Sequence, residues 1–159
     1  NINGDPNDPE PIGDYEVFKG DVGISAGPIP RFQPFGDHRG IPVTALYQYN
    51  CPRPLSAYFQ KNTGEGSRFC TFMAVTPLDI DDCILWVQIA INYGFDLPEP
   101  QILERQDAVY YQDKPIIESQ RPHPLPLDLK KELHVRSDKY CVAYRRWLKE
   151  LGVTWGVTQ

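Results

Sequence analysis

The chain reads as an α+β domain, with short strands across its middle followed by two helices. Three observations predict this class. Residues 41–94 are rich in β-branched and aromatic side chains broken by short turn clusters. Residues Ile102, Val109, Asp113, Ile116 and Ile117 recur at spacings of three, four or seven, the period of one helix face. Near the end, Tyr140, Tyr144, Trp147, Leu148 and Leu151 form a second helical stripe.

Residues 1–14, NINGDPNDPEPIGD, combine Pro, Asp, Asn and Gly with almost nothing apolar, so they are expected to form a flexible N-terminal segment ahead of a domain spanning 15–159. Sixteen prolines punctuate the chain and mark its loops. One such loop is expected at 27–40, holding Phe32, Phe35, Asp37 and His38. A lone loop histidine reads first as a surface residue and only second as a ligand or proton carrier.

Strands are expected at 43–50, 55–61, 68–75 and 83–93, paired antiparallel through turns at 51–54, 62–67 and 76–82. In ILWVQIAINY, Leu85, Val87, Ile89, Ile91 and Tyr93 share a fully apolar face, suited to a packed helix or a hydrophobic pocket. The opposite face carries Gln88 and Asn92 and either meets water or lines a site. The acidic turn of Asp79, Asp81 and Asp82 lacks the ligand spacing of a calcium loop and reads as solvated.

Pro98 and Pro100 suit the start of the first helix. Its most informative residue is Asp113, a carboxylate on the greasy face. Burying such a group unpaired costs several kcal/mol, so a metal, a cation or a hydrogen-bond network should meet it. The alternative is that Asp113 faces a solvated groove. Pro115 removes one helical hydrogen bond and should bend the helix just beyond it. For the last helix, Ser137 or Asp138 can cap the start, and Gly152 stands where a glycine stop belongs. Arg145 and Arg146 read as exposed helix charges before an anion site, and RPHPLPLDL as an extended connector.

With 41% hydrophobic residues and no long apolar run, the chain has the composition of a globular domain without a membrane span. A net charge of -5 with mixed signs argues against nucleic acid. Four scattered cysteines suit buried thiols in a reducing cytoplasm.

The segment QDAVYYQDKPIIESQ, with the following RPHPLPLDL and the later YRRWL, resembles the C-terminal end of Rieske-type non-haem iron oxygenases, in the ring-hydroxylating and O-demethylating branch that includes vanillate demethylase. The resemblance covers about a third of the chain closely. It implies that Asp113 is the carboxylate ligand of a mononuclear Fe(II), within a 2-His-1-carboxylate site. It further implies a helix-grip fold (START/Bet v 1-like), in which an antiparallel sheet curls around long C-terminal helices to enclose a pocket. Gln106, Val109, Tyr110 and Asn92 become candidates for that pocket or for groups supporting the metal ligands.

Much of the family's machinery has no counterpart in these residues. His38, His123 and His134 are the three histidines, and none has a second at helical spacing. Cys51, Cys70, Cys83 and Cys141 lack the C-x-H and C-x-x-H pairs of a Rieske [2Fe-2S] cluster. The chain, beginning at Asn1 with Met73 as its single methionine, is therefore read as a partial domain, the C-terminal part of a longer oxygenase, inactive by itself. The partners implied are the missing N-terminal Rieske portion, a reductase or ferredoxin donor, an aromatic or related apolar substrate and a homotrimer. Two other readings stay open: a START-like module that binds an apolar molecule without chemistry, and an inert fragment kept soluble by partner chains.

Overall fold

The computed structural model describes residues 12–34 and 39–159. Six strands form one antiparallel sheet in simple sequence order: β1 (Val17–Lys19), β2 (Ile24–Gln33), β3 (Val43–Arg53), β4 (Ser56–Asn62), β5 (Arg68–Pro77) and β6 (Cys83–Ile91). Two helices follow, α1 (Glu99–Glu118) and α2 (Lys139–Glu150), and a two-residue parallel pair joins β7 (Leu125–Pro126) to β8 (Val157–Thr158). This is the expected α+β class, with the four expected strands present as β3 to β6. His38, Phe35 and Asp37 lie outside the described residues.

The expected loop at 27–40 is in large part strand. Pro28 and Pro30 argued against a ladder, since proline donates no backbone hydrogen bond. The sheet tolerates them because β1 pairs only with residues 24–26 of β2, so from Gly27 onward β2 has a ladder partner on one side alone among the described residues. The register also slips between Ala26 and Ile29, which breaks the alternation that reveals a strand. At that slip Gly27 has φ +112°, and a Cβ there would lie 2.5 Å from the Tyr47 carbonyl oxygen, so the bulge needs glycine.

The core lies on the face of the sheet that α2 packs against, where Tyr15, Ala26, Ile29, Ala45 and Tyr47 are buried together with Tyr140 against them. Tyr15, the first residue of the expected domain, belongs to this core, and residues 1–11 of the expected flexible segment lie outside the described residues. The Tyr15 hydroxyl donates to the Ser137 carbonyl (2.5 Å) and accepts from the Tyr140 backbone N–H (3.1 Å). It thereby satisfies an open donor in the first turn of α2, the task expected of Ser137 or Asp138. The Asp138 carboxylate instead accepts from Val135 N–H at 2.9 Å. Lys139 also pairs with Asp14, so residues 14 and 15 are both tied to α2.

The C-terminal stop is as expected. Gly152 has φ +70°, and the N–H groups of Gly152 and Val153 donate to the carbonyls of Lys149 and Leu148. Within α2 the fully buried side chain is Leu148, whereas Trp147 is half-buried. The proline-rich connector is anchored as well: Pro126 and Leu127 are buried where β7 pairs with β8. Arg145 is no simple surface charge, since it forms a half-buried ion pair with Glu132 at 2.6 Å. Arg146 is exposed. Of the four free cysteines only Cys51 is buried, and Cys83 and Cys141 are exposed, so the expectation of buried thiols fails for these two.

Leu148→Ala is expected to lower the unfolding free energy by about 2–5 kcal/mol through a core cavity. Ile117→Ala, on an exposed stretch of α1, should change it by less than about 0.5 kcal/mol. Urea unfolding of both variants checks the contrast.

Candidate functional site

The site is built by register. In an antiparallel sheet, directly paired residues point to the same face, and every second residue along a strand joins them. Tyr47 pairs with Lys61, which pairs with Phe69, while Tyr49 pairs with Phe59, which pairs with Thr71. Two adjacent rows of large side chains therefore cross the same face of the sheet. Ring centroids in neighbouring positions lie 6.0 Å apart for Tyr47–Tyr49, 6.2 Å for Tyr47–Phe59 and 6.2 Å for Phe59–Phe69. Tyr140 of α2 closes one end at 6.2 Å from Tyr49.

Above this floor runs α1, and between the two lies a cleft of about 320 Å³. The helix contributes Arg105, Gln106, Val109, Tyr110 and Asp113, whose spacing puts them on one face. No side chain of α1 is fully buried. The helix is a roof over a cavity, not a strut in a packed core. Of the residues singled out in the sequence, Gln106, Val109 and Tyr110 line the cleft. Asn92 does not: its carboxamide accepts from Arg68 N–H at 2.6 Å and donates to the Gly66 carbonyl at 3.0 Å, pinning the turn between β4 and β5.

Asp113 lines the cleft but is exposed, and Ile116 and Ile117 are exposed too, at 62% and 68%. The greasy face inferred for the second half of α1 is thus not packed against the sheet. Periodicity identifies which residues share a face, but not what that face meets, and here it meets an open cavity where water reaches the carboxylate. No buried counter-charge is required.

Burial shapes the chemistry of the floor. It pushes the phenols of Tyr47, Tyr49 and Tyr140 above their ordinary range. The Tyr47 oxygen accepts a 2.8 Å hydrogen bond from the Gln33 carboxamide, and Gln33 is itself buried. Tyr110 is likewise raised by burial, opposed by the nearby Thr71 hydroxyl and reinforced by the charge of Asp113. Thr71 is fully buried, and its hydroxyl makes no hydrogen bond of regular geometry. The floor is therefore composed of neutral phenols and rings. Among the described residues, the charged side chains that line the cleft are Lys61 on the floor and Arg105 and Asp113 on the roof.

A ferrous site of the expected kind needs two imidazoles beside the carboxylate. Among the described residues no group of three or more His, Cys, Asp or Glu side chains is placed to hold a metal. His123 stands against Asp81 at 3.3 Å, away from the cleft lining, and His134 is absent from that lining too. Asp113 is a suitable oxygen donor, but these residues do not make up an iron site by themselves.

Residues 25–154 match the vanillate O-demethylase oxygenase C-terminal domain. The chain belongs to that family. It is 32% identical over 121 residues to a probable methylxanthine N7-demethylase of Pseudomonas sp. (strain TJI-51), covering 74% of this chain and 42% of that protein. It is 30% identical over 128 residues to the methylxanthine N3-demethylase of Pseudomonas putida, covering 78% and 35%. The fold is that of the Pseudomonas putida CBB5 protein NdmA solved with caffeine, with a TM-score of 0.71 over 94% of this chain and 42% of the other, at 24% identity. The chain therefore spans less than half the length of these relatives. It is homologous to Rieske non-haem iron oxygenases of the vanillate and methylxanthine demethylase family. No helix among the described residues is long and apolar enough to cross a membrane.

Lys61, Gln33 and the aromatic floor were not identified from the sequence. The signal was present as alternation, Tyr47 with Tyr49 and Phe59 with Lys61, but it becomes a site only once three strands are aligned.

The floor has a consequence for pH dependence. Burial also raises the Cys51 thiol, to about 11. Groups whose folded pKa lies above the unfolded value contribute stability that is intact below the unfolded pKa and lost as pH rises through the folded one. The folded protein thus retains protons that the unfolded chain releases above about pH 9. The urea midpoint should fall from pH 8 to pH 10.5, and Tyr47→Phe with Cys51→Ala should flatten that fall relative to the parent.

Proposed function

We propose that this chain is the substrate-enclosing C-terminal part of a Rieske non-haem iron oxygenase that uses O2 to hydroxylate or demethylate an aromatic small molecule. The observation that carries this reading is the aromatic-floored cleft with Asp113 on its roof, in a chain that belongs to a demethylase family. A planar ring fits such a floor, since offset and tilted ring pairs gain about 0.5–1.5 kcal/mol each beyond the area they bury. The sheet and helices are read as the gripping half of a helix-grip domain, with α1 as the helix laid across the sheet.

In this reading Asp113 supplies one carboxylate donor to Fe(II), and the remaining ligands lie outside the described residues. Ferrous iron supplies the capacity to activate O2, and a Rieske [2Fe-2S] cluster in the remainder of the polypeptide, fed by a reductase or ferredoxin, supplies electrons. The chain's own residues do other work. Tyr47, Tyr49 and Phe59 hold the substrate ring flat and exclude water from one of its faces. Gln106, Val109 and Tyr110 bear on the opposite face. The raised phenols stay protonated across the working pH range, so they act as donors and packing surfaces, not as bases.

The related N-methylxanthine demethylases make N-demethylation the first reaction to assay, with O-demethylation of methoxylated aromatics beside it. In the complete polypeptide, Asp113→Asn should leave the melting temperature close to the parent's while depleting mononuclear iron and lowering product formation by at least about a hundredfold. Asp107→Asn, exposed and outside the cleft, should be near neutral. Iron and turnover retained in both variants would remove the metal role from Asp113 and leave the cleft as a binding module.

A further inference from the structure

Beside the cleft lies a second cavity of about 320 Å³. It sits on the same face of the sheet, over β2, since Ala26 pairs with Tyr49 and Ile29 with Tyr47, and directly paired residues share a face. Tyr15, Ala26, Ile29 and Tyr47 are buried in its depth. Arg31, half-buried, and Ile12 and Cys141, both exposed, mark the side that opens to solvent. The cavity is thus wet at its mouth and apolar within.

Tyr47, Tyr49 and Tyr140 line both spaces, so one layer of rings separates the cavity from the cleft. The rings are not held alike. Tyr47 is pinned by the 2.8 Å hydrogen bond from Gln33. The Tyr140 hydroxyl is shielded from solvent yet has no hydrogen-bond partner among the described residues, and its ring meets that of Tyr49 at 6.2 Å with a 40° tilt. Packing alone holds the Tyr140 ring, and packed side chains still hop between rotamers. Movement on that scale passes a diatomic molecule and holds back a planar substrate.

The reaction proposed above has two substrates with opposite demands. A flat aromatic fills the cleft between floor and roof, and dioxygen must still arrive while that ring is seated. Dioxygen is apolar, and an apolar cavity takes up small apolar gases in preference to water.

We propose that the cavity over β2 is a binding site and entry route for dioxygen, which reaches the cleft past Tyr49 and Tyr140. The inference rests on the oxygenase reading and goes further in assigning a separate site to the second substrate.

The test begins with xenon, a probe of apolar gas sites, applied under pressure to crystals of the complete iron-loaded polypeptide. Xenon should bind beside Ala26 and Ile29 in the parent and be displaced in Ala26→Leu, whose longer side chain fills the space. Steady-state turnover then separates the two substrates, using whichever of the N-methylated or methoxylated aromatics assayed above is demethylated. Ala26→Leu should raise KM for dioxygen at least about threefold and Ala26→Val by less, while KM for the aromatic and kcat at saturating dioxygen stay within about twofold. A mere packing defect would move all three constants together. A parent cavity that takes up no xenon overturns the proposal even if Ala26→Leu fails to fold. An unchanged KM for dioxygen in a folded Ala26→Leu also overturns it. Absence of any dioxygen-dependent turnover in the parent would overturn the oxygenase reading, and the route with it, whereas loss of the route with turnover intact leaves that reading standing.

Discussion

Strand register across β3, β4 and β5 is the constraint on which the rest depends. Tyr47, Lys61 and Phe69 form one row and Tyr49, Phe59 and Thr71 the next, because each strand pairs with its neighbour in a fixed alignment. The side-chain period is two, so a slip by a single residue would turn one strand's contribution from the floor's face to the opposite one. The floor would then lose its rings and its ammonium together. Burial of Ala45 and Tyr47 on β3 and of Phe69 and Thr71 on β5 penalises such a slip, so core packing and site geometry are enforced by the same alignment.

The two helices stand in different relations to that floor. Helix α2 is bound in: Leu148 is buried, Arg145 pairs with Glu132, and Tyr15 reaches across more than a hundred residues to hold its first turn. Helix α1 covers the cleft with half-buried side chains and buries none completely. A roof of this kind loses little when it shifts, and regions with few buried apolar contacts open at lower free energy than cores do. The arrangement joins a packed floor to a lightly packed cover, which suits the substrate cleft proposed for it.

How much of this was legible in the sequence follows from what each signal measures. Alternation revealed β3 to β6, and the stripe ending at Gly152 revealed α2, because these elements keep a regular period over enough residues. It failed for β2, where a bulge at Gly27 and two prolines hide a strand whose second half has a ladder on one side only. Asp113 stands out by its motif and its periodicity, but those signals leave open whether its face meets core or a solvated groove. The structure decides for the groove, since Ile116 and Ile117 are exposed and the carboxylate borders an open cavity. Asn92 seemed available for a pocket, but its carboxamide is spent on a turn. Lys61 was invisible because no single strand contains its neighbours: the rings around its ammonium, Tyr47, Phe59 and Phe69, are brought together from three.

The central claim is that the sheet face beneath α1, and not the opposite, exposed face with Phe72 and Trp86, receives the ligand. Amide hydrogen exchange of the complete polypeptide, with and without a saturating methoxylated aromatic acid, tests it most directly. The account predicts slower exchange at residues 105–113 of α1 and at the cleft-lining stretches of β3 and β4. Exchange unchanged in those segments, with protection confined to peptides around Phe72 and Trp86, would contradict it.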